Sequence, residues 1–310
     1  MLLTLDNICK SFGDTVAVDR LSLHVPEGAI YGIIGPNGAG KTTTIRMIMN
    51  ITVPDSGRVL IDGRPAGRDF KNRVGYLPEE RGLYKTMTAT EVLVYMAQLK
   101  GCAARQAQNR AEPWLSRMGL LDYRARKVQE LSKGMQQKLQ FITTVLHDPD
   151  LIILDELFSG LDPLNIELIK DILLEFKRAG KTILFSTHVM EQAEKLCDHV
   201  CMISKGRKVI DGRMKEIKAQ FGKNSVQIEL DGEGDFLRKL DGVKNVTEFP
   251  NYIELELGGG VDSNTILKRV VDKVAVRSFT LHEPSLYNIF IKLAREEPPR
   301  ESAGEGGDGD

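Results

Sequence analysis

Short apolar runs alternate with segments of helical periodicity over roughly the first 220 residues. Runs suited to buried strands cover residues 16–25, 29–34, 151–154 and 182–185. Apolar residues recur at helical spacing over residues 42–49, 88–131 and 164–178. Strands that alternate with helices typically build a parallel sheet with helices on its faces. The pattern therefore predicts an α/β domain with a largely parallel central sheet.

The pattern changes after Gly222. Strands are predicted over residues 226–230, 243–249, 252–257 and 276–281, and helices over residues 236–240 and 265–274. The order β-α-β-β-α-β is that of a small ferredoxin-like α+β domain. A last helix is predicted over residues 284–295, and the tail beyond it is poor in apolar residues, so we expect it to be disordered. The predicted parts are residues 1–221, 222–296 and the tail 297–310.

Composition narrows the class of protein. The 310 residues are 42% hydrophobic and 27% charged, which is ordinary for a globular chain. A net charge of −1 gives no overall attraction to nucleic acid, so no nucleic-acid partner is expected. No apolar run approaches the length of a bilayer-spanning helix, and the N-terminus lacks the apolar core of a signal peptide. If the chain serves a membrane process, we expect another polypeptide to supply the membrane-spanning part.

Residues 35–42, GPNGAGKT, match the pattern of a phosphate-binding loop, or P-loop. Glycines let the backbone wrap a phosphate chain so that its N–H groups form an anion nest. Lys41 can reach the β- and γ-phosphates, the Thr42 hydroxyl can bind Mg²⁺, and the following helix presents its positive end. An ordinary strand-to-helix turn is the alternative, but the predicted strand before and helix after favour a nucleotide site. The candidate nucleotide-binding residues here are Gly35, Pro36, Asn37, Gly38, Ala39, Gly40, Lys41, Thr42 and Thr43.

Two carboxylates, Asp155 and Glu156, follow a predicted buried strand. Ligands bind at the carboxyl ends of strands in a parallel sheet. Asp155 is therefore a candidate Mg²⁺ ligand, and Glu156 is a candidate general base for an attacking water. His188 follows another predicted strand and could approach the γ-phosphate if the two strands are neighbours. A solvated strand end is the more common meaning of such an acidic pair alone, and a capped loop residue is the more common meaning of a lone histidine after a strand. The P-loop upstream favours the catalytic interpretation of the acidic pair.

Together these segments resemble the ATP-binding cassette (ABC) ATPases over residues 2–220. LSKGMQQ at residues 131–137 is similar to the family signature LSGGQ, and SGLD at residues 159–162 is similar to its D-loop. The resemblance implies a P-loop NTPase domain with a helical insertion that binds and hydrolyses ATP with Mg²⁺. It also implies that nucleotide is sandwiched between two subunits. The further nucleotide contacts it implies are Phe12, which would stack on adenine, and Ser132, Gly134 and Asp162, and its catalytic residues would be Glu156, His188 and Lys41.

The sequence departs from the family pattern at three positions. Lys133 replaces the first glycine of the signature, and Met135 replaces its glutamine. Ser132 and Gly134, which the resemblance places closest to phosphate, are kept. Glu79 stands where the family has a Q-loop glutamine, and its carboxylate could contact metal or water while adding negative charge near the phosphates. The expected metal ligands are Thr42, Asp155 and Glu79.

These departures and the C-terminal domain are most similar to ATP-binding subunits of ABC-2-type exporters, including the sodium-extrusion type. The ending EPSLYNIF at residues 283–290 is similar to theirs. That resemblance implies export through a separate transmembrane permease, with the chain peripheral on the cytoplasmic face of the cell membrane. A homodimer, or pairing with a related subunit, is expected, and the segment 79–95 is expected to contact the permease.

Two other functions stand beside this interpretation. A soluble ABC ATPase that acts on nucleic acid or the ribosome usually carries two cassettes or a long coiled-coil insertion, and neither is visible in this sequence. A regulatory subunit that binds nucleotide without cleaving it would not need Asp155, Glu156 and His188 together. Neither alternative fits the sequence as well as an ATPase that powers transport.

Overall fold

The computed structural model describes residues 2–65, 68–80, 82–221, 225–258, 261–282 and 284–296. The chain divides into two compact units, Met1–Met214 and Lys215–Asp310. The sequence analysis placed the boundary after residue 221, so the helix that begins at Met214 was assigned to the first domain. The predicted disordered tail 297–310 and Glu283 of the C-terminal motif lie outside the described residues.

The first unit contains two sheets and the helices that cover them. Its elements are β1 (Leu3–Phe12), β2 (Thr15–Val25), β3 (Ile30–Ile34), α1 (Lys41–Ile48), β4 (Ser56–Ile61), β5 (Arg64–Pro65), β6 (Val74–Leu77), α2 (Ala89–Leu99), α3 (Ala104–Arg117), α4 (Lys133–Val145), β7 (Leu151–Asp155), α5 (Pro163–Arg178), β8 (Thr182–Thr187), α6 (Met190–Leu196), β9 (His199–Ser204) and β10 (Arg207–Arg213). The central sheet has the order β10-β9-β3-β8-β7-β6. All its neighbouring strands are parallel except the β9–β10 pair, which confirms the predicted parallel core.

A second sheet, of order β2-β1-β4-β5, is antiparallel and packs on one face of the central sheet. Alternate side chains of β3, including Tyr31 and Ile33, point into the core between the sheets, where Ile45 and Met47 of α1 also lie. Strands β3, β7 and β8 are buried along their whole length, which explains why their sequences are continuous apolar runs. Of the antiparallel sheet, the sequence analysis predicted only the strand over residues 16–25.

Strand order places the predicted motifs at one edge of the central sheet. In the order β3-β8-β7, Ile34 pairs with Thr187, and Asp155 pairs with Ser186. The three strands are parallel, so their carboxyl ends meet at the same edge. The P-loop after β3, the acidic pair at the end of β7 and the segment after β8 therefore emerge side by side.

The predicted helical stretch 88–131 consists of α2, α3 and two short 3₁₀ turns, Leu121–Tyr123 and Val128–Glu130. A capping box fixes the start of α2: the Thr88 hydroxyl accepts a hydrogen bond from the Glu91 N–H at 3.3 Å, and the Glu91 carboxylate accepts one from the Thr88 N–H at 2.8 Å. The ring of Trp114 on α3 packs against Phe141 and Phe176, which ties the insertion to α4 and α5.

The second unit has the predicted ferredoxin-like order of elements. They are α7 (Met214–Gln220), β11 (Ser225–Asp231), a 3₁₀ turn (Asp235–Lys239), β12 (Val243–Glu248), β13 (Ile253–Leu257), α8 (Ser263–Val271), β14 (Ala275–His282) and α9 (Leu286–Glu296). The sheet order is β12-β13-β11-β14, and every pair is antiparallel. The first predicted helix of this domain is reduced to the 3₁₀ turn.

Both faces of this small sheet are covered. Leu255 and Leu257 of β13 pack with Ile266 and Val270 of α8 in one core. Side chains alternate along a strand, so Glu254 and Glu256 point to the opposite face. There Glu254 accepts a hydrogen bond from the Ser285 N–H at 3.3 Å, and Glu256 pairs with Lys292 at 3.2 Å. Helix α9 therefore covers the face of the sheet that α8 leaves open. No helix in the described ranges is long and apolar enough to cross a membrane.

We predict that Thr88→Ala lowers the free energy of unfolding by about 1 kcal/mol, because the first turn of α2 loses a side-chain cap. Urea denaturation followed by circular dichroism measures the change. Ser116→Ala, at an exposed position of α3, is the control, and its effect should stay within about 0.5 kcal/mol. Equal losses in the two variants would contradict the role of the cap.

Candidate active site

The P-loop packs too closely on its neighbours for side chains at two of its glycines. Gly35 has φ +154°, and a Cβ there would lie 2.1 Å from the carbonyl oxygen of Ile203. Gly40 has φ +105°, and a Cβ there would lie 2.5 Å from the carbonyl oxygen of Ala17. Glycine is required at both positions because the loop runs against β9 and β2. The close packing fixes the loop at the start of α1, as the sequence predicts.

The ammonium group of Lys41 is held inside the loop. Its Nζ donates hydrogen bonds to the carbonyl oxygens of Gly35, at 3.0 Å, and Pro36, at 3.2 Å. The side chain is only 5% exposed, and Nζ also lies 3.3 Å from Oε1 of Glu156. A buried cation is stable only when it is paired and hydrogen-bonded, and these three contacts provide both.

Asp155 is fully buried at the end of β7. Its Oδ1 accepts hydrogen bonds from the Ser186 hydroxyl, at 2.5 Å, and from the Thr42 hydroxyl, at 3.3 Å. Its Oδ2 is buried and has no hydrogen-bond partner among the described residues. Burial raises the pKa of Asp155, and the nearby charge of Glu156 raises it further, while the two hydroxyl hydrogen bonds act in the opposite direction.

This set of atoms fits a magnesium ion. Mg²⁺ prefers oxygen ligands and is usually held by one or two carboxylates together with substrate phosphates. The orphaned Oδ2 of Asp155 is a buried oxygen that needs a positive partner, and the Thr42 hydroxyl lies beside the same carboxylate. Thr42 and Asp155 would hold the ion.

Glu156 has an unusual backbone conformation. Its φ is +50°, in the left-handed region that residues with a Cβ rarely adopt. The Ser186 hydroxyl accepts a hydrogen bond from the Glu156 N–H at 3.1 Å and so supports this turn of the chain. Such strained residues often occur at functional sites. The turn directs the carboxylate to a position between Lys41 and His188, where Oε2 lies 2.9 Å from His188 Nδ1.

The cleft at the P-loop brings most of the predicted residues together, but not all of them. Its lining in the described part of the chain consists of Ala17, Asn37, Gly38, Gly40, Lys41, Thr42, Thr43, Glu79 and Glu156. His188 is connected to the cleft by its contact with Glu156, and Asp155 is connected to it by the hydrogen bond from the Thr42 hydroxyl. The predicted nucleotide contacts that do not line this cleft are Gly35, Pro36 and Ala39 of the P-loop itself, and Phe12, Ser132, Gly134 and Asp162 outside it. Phe12 ends β1 with an exposed ring, 54% accessible.

Comparison with known proteins assigns the family. The family model described as ABC transporter matches residues 18–159, and the model of the DrrA1-3-like ATP-binding protein C-terminal domain matches residues 212–294. The uncharacterized ABC transporter ATP-binding protein YhaQ of Bacillus subtilis (strain 168) is 46% identical over 291 residues, which is 94% of this chain and 98% of that protein. The chain belongs to the ABC transporter family, as an ATP-binding subunit.

Other relatives agree with this assignment. The Nod factor export ATP-binding protein I of Cupriavidus metallidurans is 39% identical, over 96% of this chain and 98% of that protein. A solved structure of the ATP-binding subunit of an ABC transporter superposes with a TM-score of 0.67 at 32% identity, over 71% of this chain and 93% of that one. ATP-binding cassettes are ATPases coupled to transport, so the activity predicted from the sequence is confirmed. The second family model begins close to the division between the two units.

The signature of this ATP-binding subunit begins a helix. Ser132 is the N-cap of α4, and its hydroxyl accepts a hydrogen bond from the Met135 N–H at 3.3 Å. A Cβ at Gly134 would meet no atom within 4 Å, so the start of the helix is open to an approaching molecule. Lys133 is exposed here. The two substitutions in the signature therefore leave the cap and the open glycine intact.

Two further residues join the segments of the site, and the sequence analysis did not single out either. Ser186 connects Asp155 with the backbone of Glu156, as described above. Gln137 is buried, and its Nε2 donates to the carbonyl oxygens of Leu157 and Ser159, both at 2.8 Å. It links the signature helix to the loop after β7. The available signals were that Ser186 directly follows the predicted strand over residues 182–185 and that Gln137 ends the segment similar to the family signature.

A separate groove lies where the insertion meets the central sheet. Its lining includes Tyr76, Pro78, Leu83, Met96, Leu99 and His147. Both ring nitrogens of His147 are buried without a hydrogen-bond partner among the described residues. Burial, followed by the positive charge of Lys100, lowers the pKa of His147 to about 4. The imidazole is therefore neutral in the folded subunit near pH 7.

We predict that His147 makes the subunit less stable in acid. The pKa in the folded state is about 4, below the ordinary value of about 6.5 that applies to the unfolded chain. The unfolded chain therefore binds a proton first, and stability is lost as the pH falls through this window. Melting temperatures between neutral pH and the lower end of the window should fall less steeply for His147→Leu than for the unmodified protein.

The exposed residue His24 supplies the control for this measurement. His24→Gln should follow the pH dependence of the unmodified protein, because an exposed imidazole is solvated in both states. A His147→Leu variant whose melting temperature falls as steeply as that of the unmodified protein would show that His147 does not carry the effect.

Proposed function

We propose that the chain cleaves ATP with Mg²⁺ in two composite sites of a dimer and powers export through a separate membrane permease. The observation that carries this proposal is the position of Glu156, whose carboxylate lies 3.3 Å from the P-loop lysine and 2.9 Å from His188. A carboxylate fixed beside a phosphate-binding cation is suited to receive a proton from water that attacks the γ-phosphate.

Each residue of the site has a distinct part in this reaction. The P-loop N–H groups and the start of α1 bind the phosphates, and Lys41 exchanges its contact with Glu156 for the β- and γ-phosphate oxygens. Mg²⁺, when bound by Thr42 and Asp155, neutralises phosphate charge. Glu156 accepts the proton of the attacking water, and the products are ADP and inorganic phosphate. The imidazole of His188 holds the Glu156 carboxylate in position at the edge of the cleft.

We predict that Glu156→Gln slows ATP turnover by about 10²–10⁴-fold while ATP still binds, because the amide cannot accept the proton. Phosphate release measures turnover, and equilibrium dialysis with labelled ATP measures binding. Glu167→Gln is the matched control, since Glu167 is an exposed carboxylate on α5 that pairs with Lys170 and lies outside the cleft. Unchanged hydrolysis in Glu156→Gln would remove the general-base role, and failure of the unmodified protein to bind ATP would overturn the proposal as a whole.

The signature supports a dimer. Ser132 and Gly134 do not line the cleft of their own chain, although the exposed N-terminus of α4 has the positive dipole end and the N–H groups that bind phosphate. A second subunit can place its signature over the P-loop of the first. Each chain carries one P-loop and one signature, so two chains complete two sites. A second copy of this chain fits this arrangement, and a related subunit would fit it equally.

The groove between the insertion and the central sheet is the proposed docking surface for the permease. It overlaps the segment 79–95 that the sequence analysis assigned to this contact. Leu99 is 58% exposed, and Met96 and Leu83 line the same groove, so apolar surface is available to a partner. The permease contact would hold the subunit on the cytoplasmic face of the membrane. Export is the proposed direction because relatives over nearly the whole chain are named for export.

We predict that Leu99→Glu reduces the fraction of the subunit bound to its native membranes by about tenfold, which corresponds to about 1.4 kcal/mol of contact energy. The ATPase activity of the free subunit should not change, because Leu99 lies outside the cleft. Ile51→Glu is the control, since Ile51 is also 58% exposed but does not line the groove. Equal membrane binding by the two variants would rule out this surface.

The alternative function, a soluble ABC ATPase that acts on nucleic acid or the ribosome, lacks support. The net charge is −1, and the relatives reported above are transporter subunits. A protein that binds nucleic acid through phosphate contacts normally carries a basic surface.

A further inference from the structure

The second unit contains a cavity that the ATPase reaction does not use. It has a volume of about 130 Å³, and about 590 Å³ when the open space at its mouth is included. It lies where the start of β11, the end of β13 and helix α9 meet, and its apolar walls are formed by Phe221, Leu257, Pro284 and Ile289. Four of its nine lining residues in the described ranges are apolar and five are polar or charged. Small-ligand pockets likewise combine apolar walls with polar groups that orient the ligand.

Two hydrogen-bond donors in the lining are not satisfied by the protein. Ser225 is 3% exposed, and its hydroxyl has no hydrogen-bond partner among the described residues. Asn288 accepts a hydrogen bond on Oδ1 from the Thr247 hydroxyl at 3.0 Å. That contact fixes the amide orientation and leaves its NH₂ group as a donor. Each group can donate a hydrogen bond to an acceptor inside the cavity.

The charged residues of the lining indicate that the acceptor is negatively charged. Lys292 pairs with Glu256 at 3.2 Å, and its ammonium lies 5.6 Å from the centre of the Phe221 ring, so this pair is satisfied. Lys244 also lines the cavity, and it has no ion-pair or hydrogen-bond partner in the described ranges. The cavity therefore has one unpaired positive charge and two free donors beside apolar walls.

We propose that this cavity binds a small amphipathic carboxylate. The carboxylate would pair with Lys244 and accept hydrogen bonds from Ser225 and Asn288, and the apolar part would lie against Leu257 and Ile289. A single unpaired cation suits a monoanion better than a phosphate, which usually has several cationic or main-chain partners. Glu254, which points to the same face as Glu256, accepts a hydrogen bond from the Ser285 N–H and does not line the cavity.

Isothermal titration calorimetry of the full-length protein with sodium decanoate tests the proposal. Saturable binding of one decanoate per chain is expected, both with and without saturating Mg-ADP. Lys244→Glu should weaken binding by at least about tenfold, and 1-decanol, which has no charge, should bind at least about tenfold more weakly than decanoate. Lys268→Glu on α8 changes the net charge equally at an exposed site outside the cavity, and should bind decanoate as the unmodified protein does.

A second variant fills the cavity. Ile289→Trp should abolish decanoate binding while the far-UV circular dichroism spectrum and the melting curve stay those of the unmodified protein, which shows that both units are folded. The proposal is overturned if decanoate does not bind saturably, if Lys244→Glu and Lys268→Glu weaken it equally, if 1-decanol binds as tightly, or if the folded Ile289→Trp variant still binds decanoate.

Discussion

Two charged side chains are buried at the carboxyl edge of the central sheet, and the ion pair between Lys41 and Glu156 helps to stabilise one of them. Lys41 is 5% exposed and Asp155 is fully buried, and a buried charge is stable only when other groups solvate it. The P-loop carbonyls and Glu156 do this for the lysine, and hydroxyl groups do it for Asp155. These contacts need β3, β8 and β7 as neighbours in that order. The chemistry of the site therefore requires this strand order.

The parts of the fold that could be predicted are those coded by local pattern. Strands β3, β7 and β8 are buried on both faces, so each is a continuous apolar run followed by chemically distinctive residues. The antiparallel sheet could not be predicted in the same way, because β1 and β4 are paired across more than fifty residues, with Leu3 opposite Ile61. The cavity of the second unit was also not foreseen, since it depends on where α9 lies on the sheet.

The same distinction separates the site residues that were predicted from those that were missed. Lys41, Asp155 and Glu156 lie in short motifs with their own spacing. Ser186 and Gln137 act through hydrogen bonds to residues 20 to 31 positions away, which no local pattern encodes. Gln137 connects the signature helix with the loop that follows Glu156.

The carboxylates of the cleft also bear on the divalent cation proposed for this site. Glu79 and Glu156 line the cleft, Asp155 lies behind Thr42, and Lys41 is the one cation in the lining among the described residues. A triphosphate brought into this cleft would add negative charge to a site that already carries more carboxylates than ammonium groups, and repulsion grows as water is excluded. A glutamine at position 79 would not add to this charge. With glutamate there, the charge balance would depend more strongly on the Mg²⁺ proposed at Thr42 and Asp155.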